Sequence, residues 1–245
     1  MWVWMVLDPL DIKIIYRGSG GHLEKNVIMG EYLRVNPSFK GLFEYSRRGT
    51  PFVALGEGRP RVMITAGVHG NEIPPQLATL ELIKSLAPLD ITGTVYIIPF
   101  AAPWSTMNNT RWFKGVDLNR SSHAPGSVTN TIFKVAVDLN VDALGDFHST
   151  APRSNPGRES VFCSKKPCRR SYLIAKYISR MGSSDVIVYE NAASHYKGAL
   201  EDECNLAGVG AVTCEVVSKN GSLTLGSLER SLLQMKAFLK YFNII

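Results

Sequence analysis

Short apolar runs recur along the chain and are separated by longer amphipathic stretches. Residues 62–66 and 95–99 are apolar at almost every position, which is typical of strands buried on both faces of a parallel sheet. The Arg-Gly-Thr-Pro break at 48–51 indicates a hairpin turn between two strands. The same pattern predicts strands near 12–16, 42–47, 52–56, 142–147, 161–163, 186–189 and 210–214.

Amphipathic stretches between these strands predict helices. Pro74 and Pro75 open one that runs through Leu86, because proline is tolerated in a first helical turn. The last one, at 222–242, has apolar residues at steps of three or four. Further helices are predicted near 130–139, 170–181 and 198–206.

Strands that alternate with helices favour an α/β fold with three layers, α/β/α, around a mixed, largely parallel central sheet. No linker interrupts the series, so we expect one domain over residues 1–245. Residues Met1–Leu7 are apolar but lack a basic segment and a cleavage site, so an edge strand or a docked terminus is favoured over a signal peptide. No segment has the length of a transmembrane helix, and no membrane partner is expected.

Composition and charge exclude some classes of partner. The 245 residues carry a net charge of +6, and the densest basic run, Lys165, Lys166, Arg169 and Arg170, is predicted to be a solvated loop before a helix. A nucleic-acid surface needs a wider basic stripe with interleaved aromatic residues. The four cysteines include no CxxC pair and favour free thiols in a reducing cytoplasm, with a bridge between Cys163 and Cys168 as the alternative.

Acidic and imidazole side chains follow three of the predicted strands. His69 and Glu72 come after 62–66, His148 follows 142–147, and Glu215 closes 210–214. Because sites in open α/β sheets form outside the carboxyl ends of strands, we expect these side chains at one edge. Two imidazoles and a carboxylate are a usual ligand set for catalytic zinc. We therefore expect one zinc ion per chain, although His69 taken alone is as well explained by a loop or core histidine.

Glu215 lies in an otherwise apolar run, between Cys214 and Val216. A carboxylate in such surroundings is costly unless it is paired or used. One interpretation is a buried salt bridge. The other is a general base that takes a proton from water at the zinc ion.

Residues 101–127 form a long stretch without periodicity, which is typical of a functional loop. Asn119 and Arg120 on it are suited to hold a substrate carboxylate, because guanidinium binds carboxylate through two parallel hydrogen bonds. Arg111 is suited to stabilise the oxyanion of a scissile carbonyl. The alternative is an ordinary turn with an exposed arginine.

Four sequence pieces together resemble the zinc carboxypeptidase superfamily, and in particular its succinylglutamate desuccinylase and aspartoacylase branch. In family order they are His69-Gly70-Asn71-Glu72, Gly115-Val116-Asp117-Leu118-Asn119-Arg120, Asp146-Phe147-His148-Ser149 and Thr213-Cys214-Glu215. The resemblance implies a zinc-carboxypeptidase-like fold with zinc ligands at His69, Glu72 and His148 and the base at Glu215. It also implies an oxyanion contact at Arg111 and a carboxylate clamp at Asn119 and Arg120.

The resemblance further implies a tyrosine that reaches the substrate from a mobile loop. Tyr196 fits this place, Tyr189 is the alternative, and an ordinary loop tyrosine is the plainer interpretation. The family's deacylases usually carry a β-rich domain after the catalytic core, whereas residues 216–245 here predict one helix. We therefore expect no separate C-terminal β domain, and a pocket that is more open or is shaped by another subunit of a homo-oligomer.

Two further departures concern the clamp and the histidines. The Asn-Arg pair is followed by residues 121–126, Ser-Ser-His-Ala-Pro-Gly, where the family more commonly has an aromatic residue and proline. His22, His123 and His195 match no ligand position and are expected at the surface.

The expected function is zinc-dependent cleavage of an amide bond in a small N-acyl amino acid or short peptide. One rival is a metallocarboxypeptidase that acts on peptide C-termini. Another is a zinc-carrying or ligand-binding protein without turnover. The presence of Glu215 and Arg111 argues against that second rival, because binding alone needs no base.

Overall fold

A computed structural model of the protein describes residues 10–245, so the prediction for residues 1–7 lies outside the described residues. The strands are β1 (Asp11–Tyr16), β2 (Thr50–Glu57), β3 (Arg61–Ala66), β4 (Gly93–Ile98), β5 (Ala143–Thr150), β6 (Ser160–Lys166), β7 (Asp185–Asn191) and β8 (Gly210–Val217). The helices are α1 (Val27–Val35), α2 (Lys40–Ser46), α3 (Ile73–Leu86), α4 (Pro103–Met107), α5 (Val128–Asp138), α6 (Arg169–Gly182), α7 (Leu200–Leu206) and α8 (Ser227–Tyr241).

The strands form one mixed sheet in the order β1-β2-β4-β3-β5-β8-β6-β7. Its centre, β4-β3-β5-β8, is parallel throughout. The pairs β1-β2, β2-β4 and β6-β8 are antiparallel. The predicted α/β class with a mixed, largely parallel sheet is confirmed. Parallel strands need covered faces, which explains why every residue of β4 and β5 is buried.

Two apolar clusters cover the two faces of the sheet. The larger one packs α3, α6 and α8 against one face through residues such as Leu77, Ile174 and Phe238. The smaller one packs α5 and α7 against the other through Ile132 and Leu200. Successive residues of a strand alternate between the faces. In β5, Phe147 belongs to the first cluster and Leu144 to the second.

The structure corrects the prediction for residues 42–47, which form helix α2 and not a strand. Leu42, Phe43 and Ser46 are its buried residues, a spacing that suits one face of a helix. Short apolar runs fit both kinds of element, so the sequence pattern was ambiguous here. The turn at 48–51 therefore leads from a helix into β2 and is not a hairpin. The sequence also missed α1, where the Asn26 side chain accepts hydrogen bonds from the N–H groups of Ile28 and Met29.

Several surface and composition predictions can be checked directly. His22, His123 and His195 are exposed, as predicted. The predicted basic loop is wrong in part, because Lys165 and Lys166 end β6 while Arg169 and Arg170 begin α6. The two lysines form ion pairs with Glu190, at 3.3 and 3.0 Å. All four cysteines are unbridged. Within residues 10–245, each helix is too short or too polar to cross a membrane.

Candidate metal centre and substrate cleft

Three parallel strands place the predicted site residues at one edge of the sheet. Ala66 at the end of β3 pairs with Phe147 of β5, and His148 pairs with Glu215 of β8. His148 and Glu215 lie inside their strands, close to the carboxyl ends, and not after them as predicted. Side-chain alternation then directs His148 and Glu215 to the face covered by α7.

A tight turn between β3 and α3 carries the other two members of the group. At Gly70 a side chain would collide with the backbone of Ser105 and Thr106, so only glycine allows this close approach. Gln76 of α3 fixes the turn from inside, because its Nε2 donates to the carbonyl oxygens of Gly70 at 3.2 Å and Glu72 at 2.8 Å. The turn thereby holds Glu72 at the head of α3.

His69, Glu72 and His148 lie together and are all buried. Their ligand atoms are within 4.8 Å of one another. Glu72 Oε1 lies 2.8 Å from His69 Nδ1, and Glu72 Oε2 lies 2.8 Å from His148 Nδ1. The backbone N–H of Ser149 also donates to Glu72 Oε2, at 3.1 Å. Two imidazole nitrogens and a carboxylate thus converge on one point, which is a donor set that fits zinc.

Each imidazole is held from behind by a second carboxylate. Asp117 Oδ1 lies 2.9 Å from His69 Nε2, and Asp146 Oδ2 lies 2.8 Å from His148 Nε2. Such partners orient a metal-binding histidine and fix which ring nitrogen faces the metal. They leave Nδ1 of both rings directed at Glu72. This arrangement is a second observation in favour of a metal site.

Electrostatics in the group are dominated by opposite charges in contact. Burial lowers the pKa of His148, but Asp146 and Glu72 outweigh it and hold the pKa well above its usual value. Burial raises the pKa of Glu72, but His69 and His148 outweigh it and hold the pKa below the usual range. The group therefore keeps Glu72 ionised, as a metal ligand must be.

Glu215 is half-buried beside this group. Its Oε2 atom has no hydrogen-bond partner within residues 10–245. Burial, and next the Glu72 carboxylate, raise the pKa of Glu215 to about 8. The carboxyl group would therefore accept a proton at neutral pH only where a bound cation, such as zinc at the neighbouring group, lowers this pKa.

Arg111 lies beside the ligand group, but its guanidinium is already engaged. Nη2 and Nε contact Asp117 Oδ2 at 2.9 and 3.3 Å, and Nη1 lies 3.6 Å from Glu72 Oε1. Asp117 therefore bridges Arg111 and His69. Burial raises the pKa of Asp117, but His69 and Arg111 outweigh it and keep the carboxyl ionised.

The Asn119-Arg120 pair lies in a single 3-10 turn, Leu118–Arg120, that Asp117 caps by accepting from Asn119 N at 3.0 Å. Asn119 Oδ1 accepts from the backbone N–H of Leu200, at 3.0 Å. The Arg120 guanidinium lies over the ring of Tyr196, 4.8 Å from its centroid. Gly198 in the Tyr196 loop has a φ of +83°, and a side chain there would collide with the Arg120 carbonyl. These contacts dock the tyrosine loop onto the clamp.

A cleft with an empty volume of about 540 Å³, which includes open solvent, lies over these residues. It is lined by the predicted residues His69, Arg111, Asn119, Arg120, Tyr196 and Glu215. Tyr189, the alternative to Tyr196, instead stacks on His195 with ring centroids 4.3 Å apart.

The cleft also contains residues for which the sequence pattern predicted no role, among them Phe162, Glu201 and Thr213. Asp146 was detectable in principle, because it lies two positions before His148 and therefore faces the same way in a strand. Asp117 and Glu201 sit on a loop and a short helix, where sequence spacing does not fix direction.

Comparison with known families finds one match that covers most of the chain. The family model of the succinylglutamate desuccinylase/aspartoacylase catalytic domain matches residues 58–242. No curated protein matches the chain.

Solved structures with the same fold are distant in sequence. A succinylglutamate desuccinylase/aspartoacylase from Rhodobacter sphaeroides has a TM-score of 0.63 at 20% identity, over 82% of this chain and 62% of that one. The product-bound ectoine utilization protein EutE from Ruegeria pomeroyi has a TM-score of 0.64 at 18% identity, over 82% of this chain and 64% of that one. A metallo-carboxypeptidase from Burkholderia cenocepacia has a TM-score of 0.62 at 18% identity, over 78% of this chain and 60% of that one. The chain thus spans about three fifths of the length of these proteins.

Proposed function

Because the chain belongs to the succinylglutamate desuccinylase/aspartoacylase catalytic-domain family, we propose that it is a zinc-dependent hydrolase of N-acyl amino acids. The observation that carries the proposal is the buried group of His69, Glu72 and His148 beside the unpartnered oxygen of Glu215. A protein that only stored zinc would have no use for a free carboxylate next to the ion.

His69, Glu72 and His148 would hold the zinc ion, through Nδ1 of each imidazole and the Glu72 carboxylate. When bound, zinc supplies Lewis-acid polarisation of a carbonyl and lowers the pKa of water. Asp117 and Asp146 keep the two rings in the orientation this requires.

Glu215 and Arg111 take part in the chemical step. Glu215 accepts a proton from the attacking water and later delivers it to the leaving amine, using the free Oε2. Arg111 contributes positive charge close to the ligand group, where the carbonyl oxygen gains negative charge during attack.

Asn119 and Arg120, which line the same cleft, would hold the free carboxylate of the substrate. The Asn119 oxygen is taken up by Leu200, which leaves its amide N–H groups to donate. Tyr196, under the Arg120 guanidinium, would close over the bound amino acid. Two contacts would then orient the substrate: its carboxylate with Asn119 and Arg120, and its scissile carbonyl with Arg111 beside the zinc site.

The test is hydrolysis by zinc-loaded protein of N-acyl amino acids with varied acyl and amino halves, measured beside dipeptides. We expect N-acyl amino acids to be cleaved, and chelation to abolish turnover while leaving the circular dichroism spectrum largely unchanged. Glu215→Gln should bind zinc normally yet lose roughly 100- to 10,000-fold in kcat, because a carboxamide cannot accept the proton.

Three outcomes would contradict the proposal in different ways. Faster cleavage of dipeptides would make the protein a carboxypeptidase. Zinc binding with no turnover of any substrate would make it a binding protein. Wild-type rates in Glu215→Gln would leave hydrolysis in place but require another base.

A further inference from the structure

Glu201 is an acidic residue inside the cleft that the proposed reaction does not use. It is the second residue of α7, only 5% of it is exposed, and it lines the same cleft as Asn119 and Glu215. The hydrogen bond from Leu200 N to Asn119 Oδ1 ties the start of α7 to the clamp. The position of Glu201 is therefore fixed relative to the residues that would hold a substrate carboxylate.

A rigid neighbour holds one oxygen of this carboxyl group. Asn205 Nδ2 donates to Glu201 Oε1 at 2.6 Å, and Asn205 is itself fixed by two hydrogen bonds with the backbone of Ala211, at 2.8 and 3.0 Å. Within residues 10–245, Asn205 is the one side chain that hydrogen-bonds to Glu201. The second oxygen, Oε2, is left for a ligand.

Within residues 10–245 no cation forms an ion pair with Glu201, whereas Asp202 and Asp146 act on it as negative charges. Burial, and next Asp202, raise the pKa of Glu201 well above its usual value. Asp202 is committed elsewhere, because its Oδ1 accepts from the Ala193 N–H at 2.7 Å. The guanidinium of Arg120 is stacked on Tyr196. A buried carboxyl group without a cation is costly, and such groups in clefts are candidates for function.

We infer that Glu201 selects substrates whose amino-acid half carries a cationic side chain, such as that of lysine or ornithine. The ammonium group would pair with Glu201 Oε2 while Asn119 and Arg120 hold the carboxylate. This inference rests on the proposed function and narrows its substrate class. A structural role in the first turn of α7 is the competing explanation, because acidic residues stabilise helix N-termini. Glu203 is also an acidic residue of the first turn and lies outside the cleft. Stabilisation of the N-terminus of α7 therefore does not require a buried carboxyl group at Glu201.

The experiment compares Nα-acetyl-lysine with N-acetyl-norleucine, which has the same four-carbon chain without the ammonium group. N-acetyl-glutamine is the third substrate, because a protonated Glu201 would donate to a neutral carbonyl. Wild-type protein should show a kcat/KM for the lysine substrate roughly 10- to 150-fold above that for norleucine, the range of a hydrogen bond to a charged group.

Glu201→Gln keeps the shape and the Asn205 contact but removes the charge. It should bring the lysine and norleucine values within a few-fold of each other, through loss of the lysine rate. Glu203→Gln removes one charge from the same helix and should keep the preference. Glu201→Met is a second charge-free variant, and thermal melting checks that each variant is folded.

A binding measurement separates this inference from the proposed function. Calorimetry with free lysine and norleucine should show the same preference in the wild type and its loss in Glu201→Gln, without any turnover. Selective lysine binding with no hydrolysis of any substrate would keep the inference and overturn the proposed function. Hydrolysis at equal rates for lysine and norleucine, a preference that survives in Glu201→Gln, or faster cleavage of the glutamine substrate would overturn the inference alone. Neither hydrolysis nor selective binding would overturn both.

Discussion

Two halves of one cleft differ in how their polar groups are satisfied. The metal half consists of His69, Glu72, His148, Asp117 and Asp146, and all four imidazole nitrogens there contact a carboxylate. The recognition half consists of Asn119, Arg120, Tyr196 and Glu201, and within residues 10–245 the Asn119 amide N–H groups and one Glu201 oxygen have no hydrogen-bond partner. The metal half is thus organised by the protein itself, whereas the recognition half is completed by what binds.

The difference follows from the elements that carry each half. Much of the metal half lies on strand β5 and on the turn between β3 and α3, and groups on regular elements are held more precisely than groups on loops. The recognition half lies on the loop before α5 and on the segment leading into α7. Substitutions in the metal half should therefore change metal affinity and kcat, and substitutions in the recognition half should change KM and substrate choice.

The largest expected effect tests the metal half. His148→Ala should reduce zinc from about one ion per chain to a small fraction and bring activity to background, because two ligands do not make a catalytic site. Elemental analysis after gel filtration measures this. His22→Ala, which alters an exposed histidine, is the control and should keep full zinc. Full metal occupancy in His148→Ala would remove this residue from the ligand set.

Substitution of two arginines allows the halves to be compared directly. Arg111 contacts Asp117 and Glu72 of the metal half, and Arg120 belongs to the recognition half. Arg111→Ala should lower kcat by roughly 100- to 1,000-fold, because its charge lies 3.6 Å from Glu72, beside the group at which the oxyanion would form. Arg120→Ala should mainly raise KM, because a substrate carboxylate is present before and during reaction. Steady-state kinetics on an N-acyl amino acid and on its carboxamide distinguish them. If both variants gave the same profile, the division into two halves would be wrong.

A smaller effect is expected behind the metal ligands. Asp146→Asn should weaken zinc binding by roughly 10- to 100-fold, because the carboxylate that orients His148 is lost while shape is kept. Competition with a zinc-binding dye measures the affinity. Asp142→Asn, which alters a carboxylate just before β5, is the matched control and should bind zinc as the wild type does. Unchanged affinity in Asp146→Asn would make this carboxylate a structural group only.

The smallest effect concerns stability in the recognition half. Because the folded state raises the pKa of Glu201, the unfolded state loses its proton first, and stability falls as pH rises above about 4.5. Glu201→Gln should therefore melt at a higher temperature than the wild type at pH 8 and at a similar temperature near pH 4.5. For a chain of this size each 1 kcal/mol corresponds to about 2–4 °C. A variant that melts lower than wild type at pH 8 would show that the carboxylate is paired in the folded state.

The sequence by itself determined most of the sheet-forming runs and the grouping of the four residues that are proposed as zinc ligands and base. Strands β3, β5 and β8 are apolar over most of their length, so their limits and the side chains near their ends can be identified locally. Because parallel strands end at one edge, grouping His69, Glu72, His148 and Glu215 required only the fold class. The run at 42–47 shows the limit of this reasoning, because an apolar stretch of that length fits a helix and a strand equally well.

Only the tertiary structure decided which carboxylates hold the two imidazoles and which residues form the recognition half of the cleft. His69 meets Asp117 across 48 positions of chain, and Leu200 meets Asn119 across 81. Both pairs join loops or helix ends, where no periodicity fixes the direction of a side chain. Glu201 is an ordinary acidic residue in the sequence, and it became a candidate for substrate choice only because α7 buries it in the cleft, where no cation within residues 10–245 forms an ion pair with it. The proposed role of Glu201 depends on contacts between residues that are far apart in the sequence, and only folding brings these residues together.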